Sequence, residues 1–121
     1  MKVGAILIGA DGKMIGSGYN DFPTGVVDTP ERRQRPTKFT FTEHAERNAI
    51  YDAARCGYST NGATMYCTWF PCADCARGIV QSGVKILYCT RPDLTSTTWG
   101  EAFKAALAIL TEAGIEIRYC P

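Results

Sequence analysis

The sequence has little net charge, a single histidine and no long apolar run, and these shortages exclude several classes of protein. Its 13 lysines and arginines are balanced by 12 aspartates and glutamates, and the net charge of +1 is far below that of a typical nucleic-acid-binding domain. No apolar stretch approaches the roughly 20 residues of a membrane span, and the sequence does not open with a signal-peptide pattern. We therefore expect a cytoplasmic protein whose partner is neither a membrane nor a nucleic acid.

The sequence does contain enough apolar residues, 45% of 121, for one packed core. We expect a single domain over residues 1–121. The six cysteines permit either a disulfide framework or free thiols. Only Cys72 and Cys75 have the spacing of metal ligands, and the other four lie in or beside apolar segments, where free cysteine packs as a small hydrophobic residue. We interpret the chain as a reduced cytosolic protein with one cysteine pair on a metal.

The order of apolar segments and turn signals predicts an α/β fold. A hairpin over residues 3–18 is followed by a long loop from Tyr19 to about Phe39, rich in proline, glycine, aspartate and arginine. Thr40 and Glu43 have the spacing of a capping box and predict the start of a helix. Helices are predicted over about 43–55, 71–81 and 102–113, and further strands over 63–70, 84–89 and 115–119. This ββαβαβαβ order indicates a mixed five-stranded sheet with helices on its faces.

Two short motifs lie where helices are predicted to begin. His-Ala-Glu at 44–46 opens the first helix, and Pro-Cys-Ala-Asp-Cys at 71–75 opens the next, one strand later. Together they match the H-x-E…P-C-x-x-C signature of zinc-dependent nucleobase deaminases. Cys72 and Cys75 are one helical turn apart, so both sulfurs can reach one ion, and a helix N-terminus lowers the pKa of a thiol.

The residue types in these motifs suit a catalytic Zn²⁺ site. The neutral imidazole of His44 and two cysteine thiolates balance the two positive charges, and a fourth tetrahedral position is left for water. Zinc lowers the pKa of that water towards neutrality. Glu46 does not ligate the metal in this interpretation, but takes the water proton and passes it to the ring nitrogen and the departing amine.

Other interpretations of the same residues remain open. A Cys-x-x-Cys pair is also found in redox sites and in structural zinc sites, although a structural site needs four protein ligands, and the sequence offers neither a second such pair nor a second histidine. Glu43 and Asp74 flank the motifs, but each falls in the first turn of a predicted helix, where the helix dipole favours a carboxylate. We interpret both as structural.

Several further runs resemble the deoxycytidylate (dCMP) deaminases of the cytidine deaminase-like superfamily. They are Lys-Val-Gly-Ala at 2–5, Gly-Tyr-Asn at 18–20, Phe-Pro-x-Gly at 22–25, Pro-Glu-Arg at 30–32, His-Ala-Glu-x-Asn-Ala-Ile at 44–50, Phe-Pro-Cys-x-x-Cys-Ala at 70–76 and Gln-x-Gly-Val at 81–84. The resemblance implies a three-layer α/β/α sandwich with a mixed five-stranded sheet, a homo-oligomer of six or fewer subunits, and hydrolysis of dCMP to dUMP and ammonia. It places the substrate contacts at Asn20 and Ala45, and the zinc ligands and proton shuttle on the residues named above.

One departure from that family concerns its N-terminal helix, which usually precedes the Lys-Val-Gly-Ala run. Since the sequence begins at Met1-Lys2, we expect either a naturally short protein or a second subunit over the sheet face that the helix would cover. Four cations of the long loop, namely Arg32, Arg33, Arg35 and Lys38, form either a solvated charged surface or a contact for a nucleotide phosphate or a nucleic-acid backbone.

Two other functions are kept beside dCMP deamination. One is deamination of another free base, nucleoside or tRNA base by the same zinc chemistry. The other is a zinc-stabilised binding module without turnover, against which the intact Glu46 argues, because a structural zinc has no use for a proton shuttle.

Overall fold

Alternation of apolar and polar residues builds a five-stranded sheet in the computed structural model, which describes residues 3–121. The strands are β1 (Gly4–Ile8), β2 (Met14–Tyr19), β3 (Thr64–Cys67), β4 (Ile86–Cys89) and β5 (Glu116–Tyr119), in the order β2-β1-β3-β4-β5. β1 runs antiparallel to β2 and β3, whereas β3, β4 and β5 are parallel. The predicted α/β class and mixed five-stranded sheet are confirmed.

In the part of the chain that the structure describes, four α-helices connect these strands or precede them. They are α1 (Thr37–Phe41), α2 (Ala45–Arg55), α3 (Ala73–Gln81) and α4 (Gly100–Glu112). No described helix is long and apolar enough to span a membrane.

The helix starts differ from the sequence-based predictions in two places. The stretch predicted as one long loop contains a 3-10 turn over Glu31–Arg33 and the beginning of α1, which follow the prolines at 30 and 36. The predicted capping box does not form, because Thr40 lies inside α1, and α2 begins only at Ala45. Glu43 instead accepts a hydrogen bond from the backbone N–H of His44, at 3.0 Å.

One face of the sheet carries the core. Leu7, Met65 and Leu87 point to this face from neighbouring strands and are fully buried in one cluster with the apolar sides of α2, α3 and α4. α2 approaches β2 closely because small residues meet there: a Cβ added to Gly18 would lie 2.6 Å from the carbonyl oxygen of Ala45. This close packing fixes the start of α2 over the edge of the sheet.

The opposite face of the sheet is open to solvent within residues 3–121. Strand register aligns Ile6, Tyr66, Tyr88 and Arg118 in one row across β1, β3, β4 and β5. Tyr66 and Tyr88 stack with ring centroids 4.5 Å apart, and Ile6 and Tyr66 are 36% and 40% exposed. The described helices that pack on the sheet lie on the core face. Within residues 3–121 the sheet is therefore covered by helices on one face, where a three-layer sandwich was expected on both, and this row of side chains is uncovered.

Candidate metal centre and active site

His44, Cys72 and Cys75 converge at one point where α2 and α3 begin. The sulfur of Cys72 lies 3.5 Å from Nδ1 of His44, and the sulfur of Cys75 lies 3.3 Å from the same nitrogen. The three ligand atoms all fall within 4.8 Å of one another. The predicted cluster is therefore assembled by the fold from two segments 28 residues apart.

Helix capping positions orient two of these side chains. His44 is the N-cap residue of α2 and Cys72 is the N-cap residue of α3, and both have an extended backbone. Neither residue uses its own side chain to cap the helix that it begins. The imidazole and the thiol therefore face each other near the positive ends of two helix dipoles, an environment that stabilises thiolates.

The spacing of the three ligand atoms suits zinc. With bonds of about 2.0–2.1 Å to nitrogen and 2.3 Å to sulfur, a tetrahedral zinc separates a nitrogen from a sulfur ligand by about 3.6 Å. The two observed nitrogen–sulfur distances are 3.5 and 3.3 Å, so they fit with only a small movement. One imidazole and two thiols are also the ligand set that zinc deaminases use.

The two thiols of the cluster have pKa values that shift in opposite directions. Hydrogen bonds from Cys75 and then from His44 lower the pKa of the Cys72 thiol to about 4. The pKa of Cys75 is raised, first by its hydrogen bond to Cys72 and then by burial. Metal ligands bind as thiolates, so a divalent cation held by both sulfurs would require the proton of Cys75 to leave.

Glu46 lies beside this cluster and is the one charged side chain that is buried among the described residues, with 4% of its surface exposed. Burial raises the pKa of the Glu46 carboxyl, and the charge of Cys72 adds to that rise, while its own backbone N–H and the thiol of Cys75 oppose it. A carboxyl with a raised pKa next to a metal cluster is suited to exchange protons near neutral pH.

A cavity of about 330 Å³ opens onto these residues. His44, Glu46 and Cys72 line it together with aromatic side chains from three other elements, namely Phe39, Trp69, Phe70, Trp99 and Phe103. Its volume is within the usual range for small-molecule sites. An enclosed polar cluster with apolar walls is the arrangement expected for a planar heterocyclic ligand.

The aromatic walls of the cavity were not singled out from the sequence. Trp99 immediately precedes α4, and its ring packs edge-to-face against Trp69, with centroids 5.7 Å apart. Trp69 packs in the same way on Phe103, at 5.6 Å. No local pattern marks Trp99 as a site residue, because the packing of α4 on α3 brings it to the cavity.

The two predicted substrate contacts are connected by a hydrogen bond. Asn20 lines the cavity, and its Oδ1 accepts a hydrogen bond from the backbone N–H of Ala45, at 2.8 Å. Ala45 itself is fully buried at the first position of α2. This bond fixes the Asn20 amide and leaves its Nδ2 group to donate to a ligand.

The flanking carboxylates have structural partners. Arg47 forms an ion pair with Glu43 at 2.7 Å and lies 3.9 Å from the carboxylate of Asp74, which also pairs with Arg77. These contacts agree with the structural role predicted for Glu43 and Asp74.

Comparison with known proteins connects this geometry to a family. A family model described as the cytidine and deoxycytidylate deaminase zinc-binding region matches residues 1–91. The chain belongs to this deaminase family. The matched segment contains all three ligands of the cluster, and the cluster fits the zinc site for which the region is named.

Individual relatives extend the likeness beyond that region. An uncharacterized deaminase from Aliivibrio fischeri is 34% identical over 99% of this chain and 80% of its own length. The deoxycytidylate deaminase of enterobacteria phage T2 is 48% identical, but the match spans 64% of this chain and only 38% of the phage enzyme. The dCMP deaminase of the cyanophage S-TIM5, crystallised with dCMP and dUMP, superposes with a TM-score of 0.76 over 99% of this chain and 82% of its own, at 29% identity. The cytidine deaminase-like fold is confirmed by this superposition.

Proposed function

We propose that this deaminase hydrolyses the amino group of dCMP to give dUMP and ammonia. The observation that carries the proposal is the buried carboxyl of Glu46 beside the His44–Cys72–Cys75 cluster at the wall of a ligand-sized cavity. A structural zinc site does not require a buried carboxyl group, and burying one costs free energy of folding. The burial of Glu46 therefore favours a catalytic site.

In this proposal His44, Cys72 and Cys75 hold the zinc. When bound, zinc supplies the Lewis acidity that allows water to lose a proton near neutral pH. Glu46 accepts that proton and delivers it to the ring nitrogen as the oxygen of the water adds to C4 of the cytosine. It then carries the second proton of the former water to the amino group, which leaves as ammonia when its bond to C4 breaks. Water and dCMP are consumed, and dUMP and ammonia are released, so that Glu46 ends each turnover in its starting state.

The choice of dCMP is supported by relatives and by the cavity. The cyanophage enzyme that superposes on nearly the whole chain binds dCMP and dUMP. Asn20 lines the cavity with its Oδ1 held by the N–H of Ala45, so its Nδ2 group can donate to the sugar or the base. We retain both residues as substrate-positioning groups.

Steady-state assays across a panel of substrates test this function. We expect kcat/KM to be highest for dCMP among dCMP, CMP, deoxycytidine, cytidine, cytosine, adenine, guanine and a tRNA stem-loop. Turnover confined to a different base would reject dCMP and retain the zinc chemistry. Absence of turnover on the whole panel, with zinc bound, would favour the zinc-stabilised binding module.

We further propose that the chain forms a homo-oligomer through its open sheet face. The row of Ile6, Tyr66 and Tyr88 presents apolar and aromatic surface, ended by Arg118, whose guanidinium donates a hydrogen bond to the Tyr88 hydroxyl. Aromatic residues and arginine are enriched at protein–protein interfaces. A second copy of the chain would cover this surface.

A cytoplasmic location is part of the same proposal. All six cysteines are free thiols, four of them outside the metal cluster, as expected in a reducing compartment. Titration of the denatured, non-reduced protein should give six thiols per chain, and fewer would contradict this assignment.

A further inference from the structure

The four cations of the segment between β2 and α2 divide into two pairs with different surroundings. Arg32 donates a hydrogen bond to the carbonyl oxygen of Val27 at 2.8 Å and lies over the ring of Phe41, with 4.4 Å between its Cζ and the ring centroid. Arg33 forms ion pairs with Asp28, at 2.5 Å, and with Asp21, at 3.5 Å. Both side chains therefore make their contacts within the segment between β2 and α2, where they stabilise its conformation.

Arg35 and Lys38 instead line the cavity of the metal cluster. Among residues 3–121, neither has a carboxylate within 4.0 Å, whereas Arg33 is paired with both Asp28 and Asp21. The guanidinium of Arg35 lies over the ring of Phe39, with 5.5 Å between its Cζ and the ring centroid. The two cations are therefore uncompensated at the cavity wall.

Among the described residues, Glu46 is the only carboxylate that lines the cavity, and it is buried beside the metal cluster. A ligand that satisfies the rest of the cavity wall therefore needs an apolar, planar part for the aromatic residues and an anionic part for Arg35 and Lys38. A guanidinium binds phosphate oxygens through two parallel hydrogen bonds, and an ammonium adds a mobile point charge.

We infer that Arg35 and Lys38 form the subsite for the 5′-phosphate of the substrate and so select nucleotides over nucleosides. The inference rests on the proposed deamination of dCMP at this site. Arg32 and Arg33 take no part in phosphate binding, although they belong to the same cationic segment.

The test compares kcat/KM for dCMP with kcat/KM for deoxycytidine in the zinc-loaded protein. Arg35→Gln and Lys38→Gln remove the charge but keep polar side chains of similar reach. Each should lower kcat/KM for dCMP by roughly 10- to 100-fold, the usual range for a hydrogen bond to a charged group, and leave deoxycytidine within about twofold. Arg33→Gln is the matched control, and it should leave the ratio of the two substrates unchanged even if it loosens the segment.

Two additional measurements separate this inference from the proposed function. Both tryptophans of the chain, Trp69 and Trp99, line the cavity, so their fluorescence reports ligand binding without turnover. We expect dCMP and inorganic phosphate to bind the wild type more tightly than the Arg35→Gln/Lys38→Gln double variant, and deoxycytidine to bind both equally. Added salt should weaken the binding of dCMP more than that of deoxycytidine.

The outcomes are distinct. If the wild type prefers dCMP and the double variant keeps the full preference, the phosphate subsite lies elsewhere and the inference is wrong, while dCMP deamination stands. If no cytosine compound is deaminated, the proposed function fails, and the fluorescence titration alone tests the phosphate subsite. The subsite is supported if the wild type binds dCMP more tightly than deoxycytidine and the double variant loses this difference. It is overturned if the wild type binds dCMP and deoxycytidine equally.

Discussion

Replacing Gly18 by alanine tests how closely α2 must approach β2 to hold the metal centre. The added Cβ would lie 2.6 Å from both the carbonyl oxygen of Ala45 and the amide nitrogen of Ala49, and 2.7 Å from Cβ of Asn48. Favourable contacts between such atoms lie at about 3.5–4.0 Å, so α2 must move by roughly 1 Å. Two of the three obstructing atoms belong to the backbone, which cannot rotate away as a flexible side chain can.

We expect this overpacking to lower the free energy of unfolding by about 1–3 kcal/mol. At about 4 °C per kcal/mol for a chain of this size, the Tm of Gly18→Ala should fall by roughly 4–12 °C. The first turn of α2 also carries His44 and Glu46, and a displacement of about 1 Å at a reacting group can cost roughly 10²-fold in rate. Zinc affinity and kcat should therefore fall together with Tm.

Gly4→Ala is the matched control, because a Cβ at this glycine has no neighbour closer than 3.9 Å. Thermal unfolding followed by circular dichroism, zinc content and kcat should be unchanged or slightly improved in Gly4→Ala. If Gly18→Ala unfolds at the same temperature as this control and keeps its activity, the close approach of α2 to β2 does not position the site, and our account of the packing is wrong.

Three further predictions concern the chemistry and the assembly. Metal analysis should show that Glu46→Gln retains zinc, and circular dichroism should show that it retains its fold. Its kcat should fall by about 10²–10⁴-fold, since an amide cannot accept the proton, and retention of more than roughly a tenth of the rate would refute the role of Glu46 as proton shuttle. Cys72→Ser should lose zinc and unfold at lower temperature, because metal binding contributes to folding, and a variant with full zinc content would remove Cys72 from the ligand set. Light scattering at micromolar concentration should show an oligomer that Tyr66→Glu dissociates and Tyr51→Glu, exposed on α2, does not; a monomeric wild type would contradict the proposed interface.

The metal cluster could be predicted from sequence because its information is local. His44 and Glu46 are two residues apart, and Cys72 and Cys75 are one helical turn apart, so each pair is placed by the helix that it begins. The hairpin, the later strands and α4 were also correctly predicted, since each has its own pattern of apolar residues. Glycines such as Gly57 and Gly114, which adopt positive φ, mark the ends of helices. The residues proposed to carry the chemistry therefore lie in two short segments of the sequence.

Other features were decided only by tertiary contacts. The sequence shows four equivalent cations between β2 and α2, and only the fold separates them, because Asp28 and Asp21 engage Arg33 while Arg35 faces the cavity. Trp99 becomes part of the cavity through the packing of α4, a contact with no sequence signal. The sequence by itself identified the residues proposed to bind the metal and to move the proton, since these roles depend on residue type and helical spacing. The charges and rings that surround the substrate depend on contacts between distant segments, which only the folded chain defines.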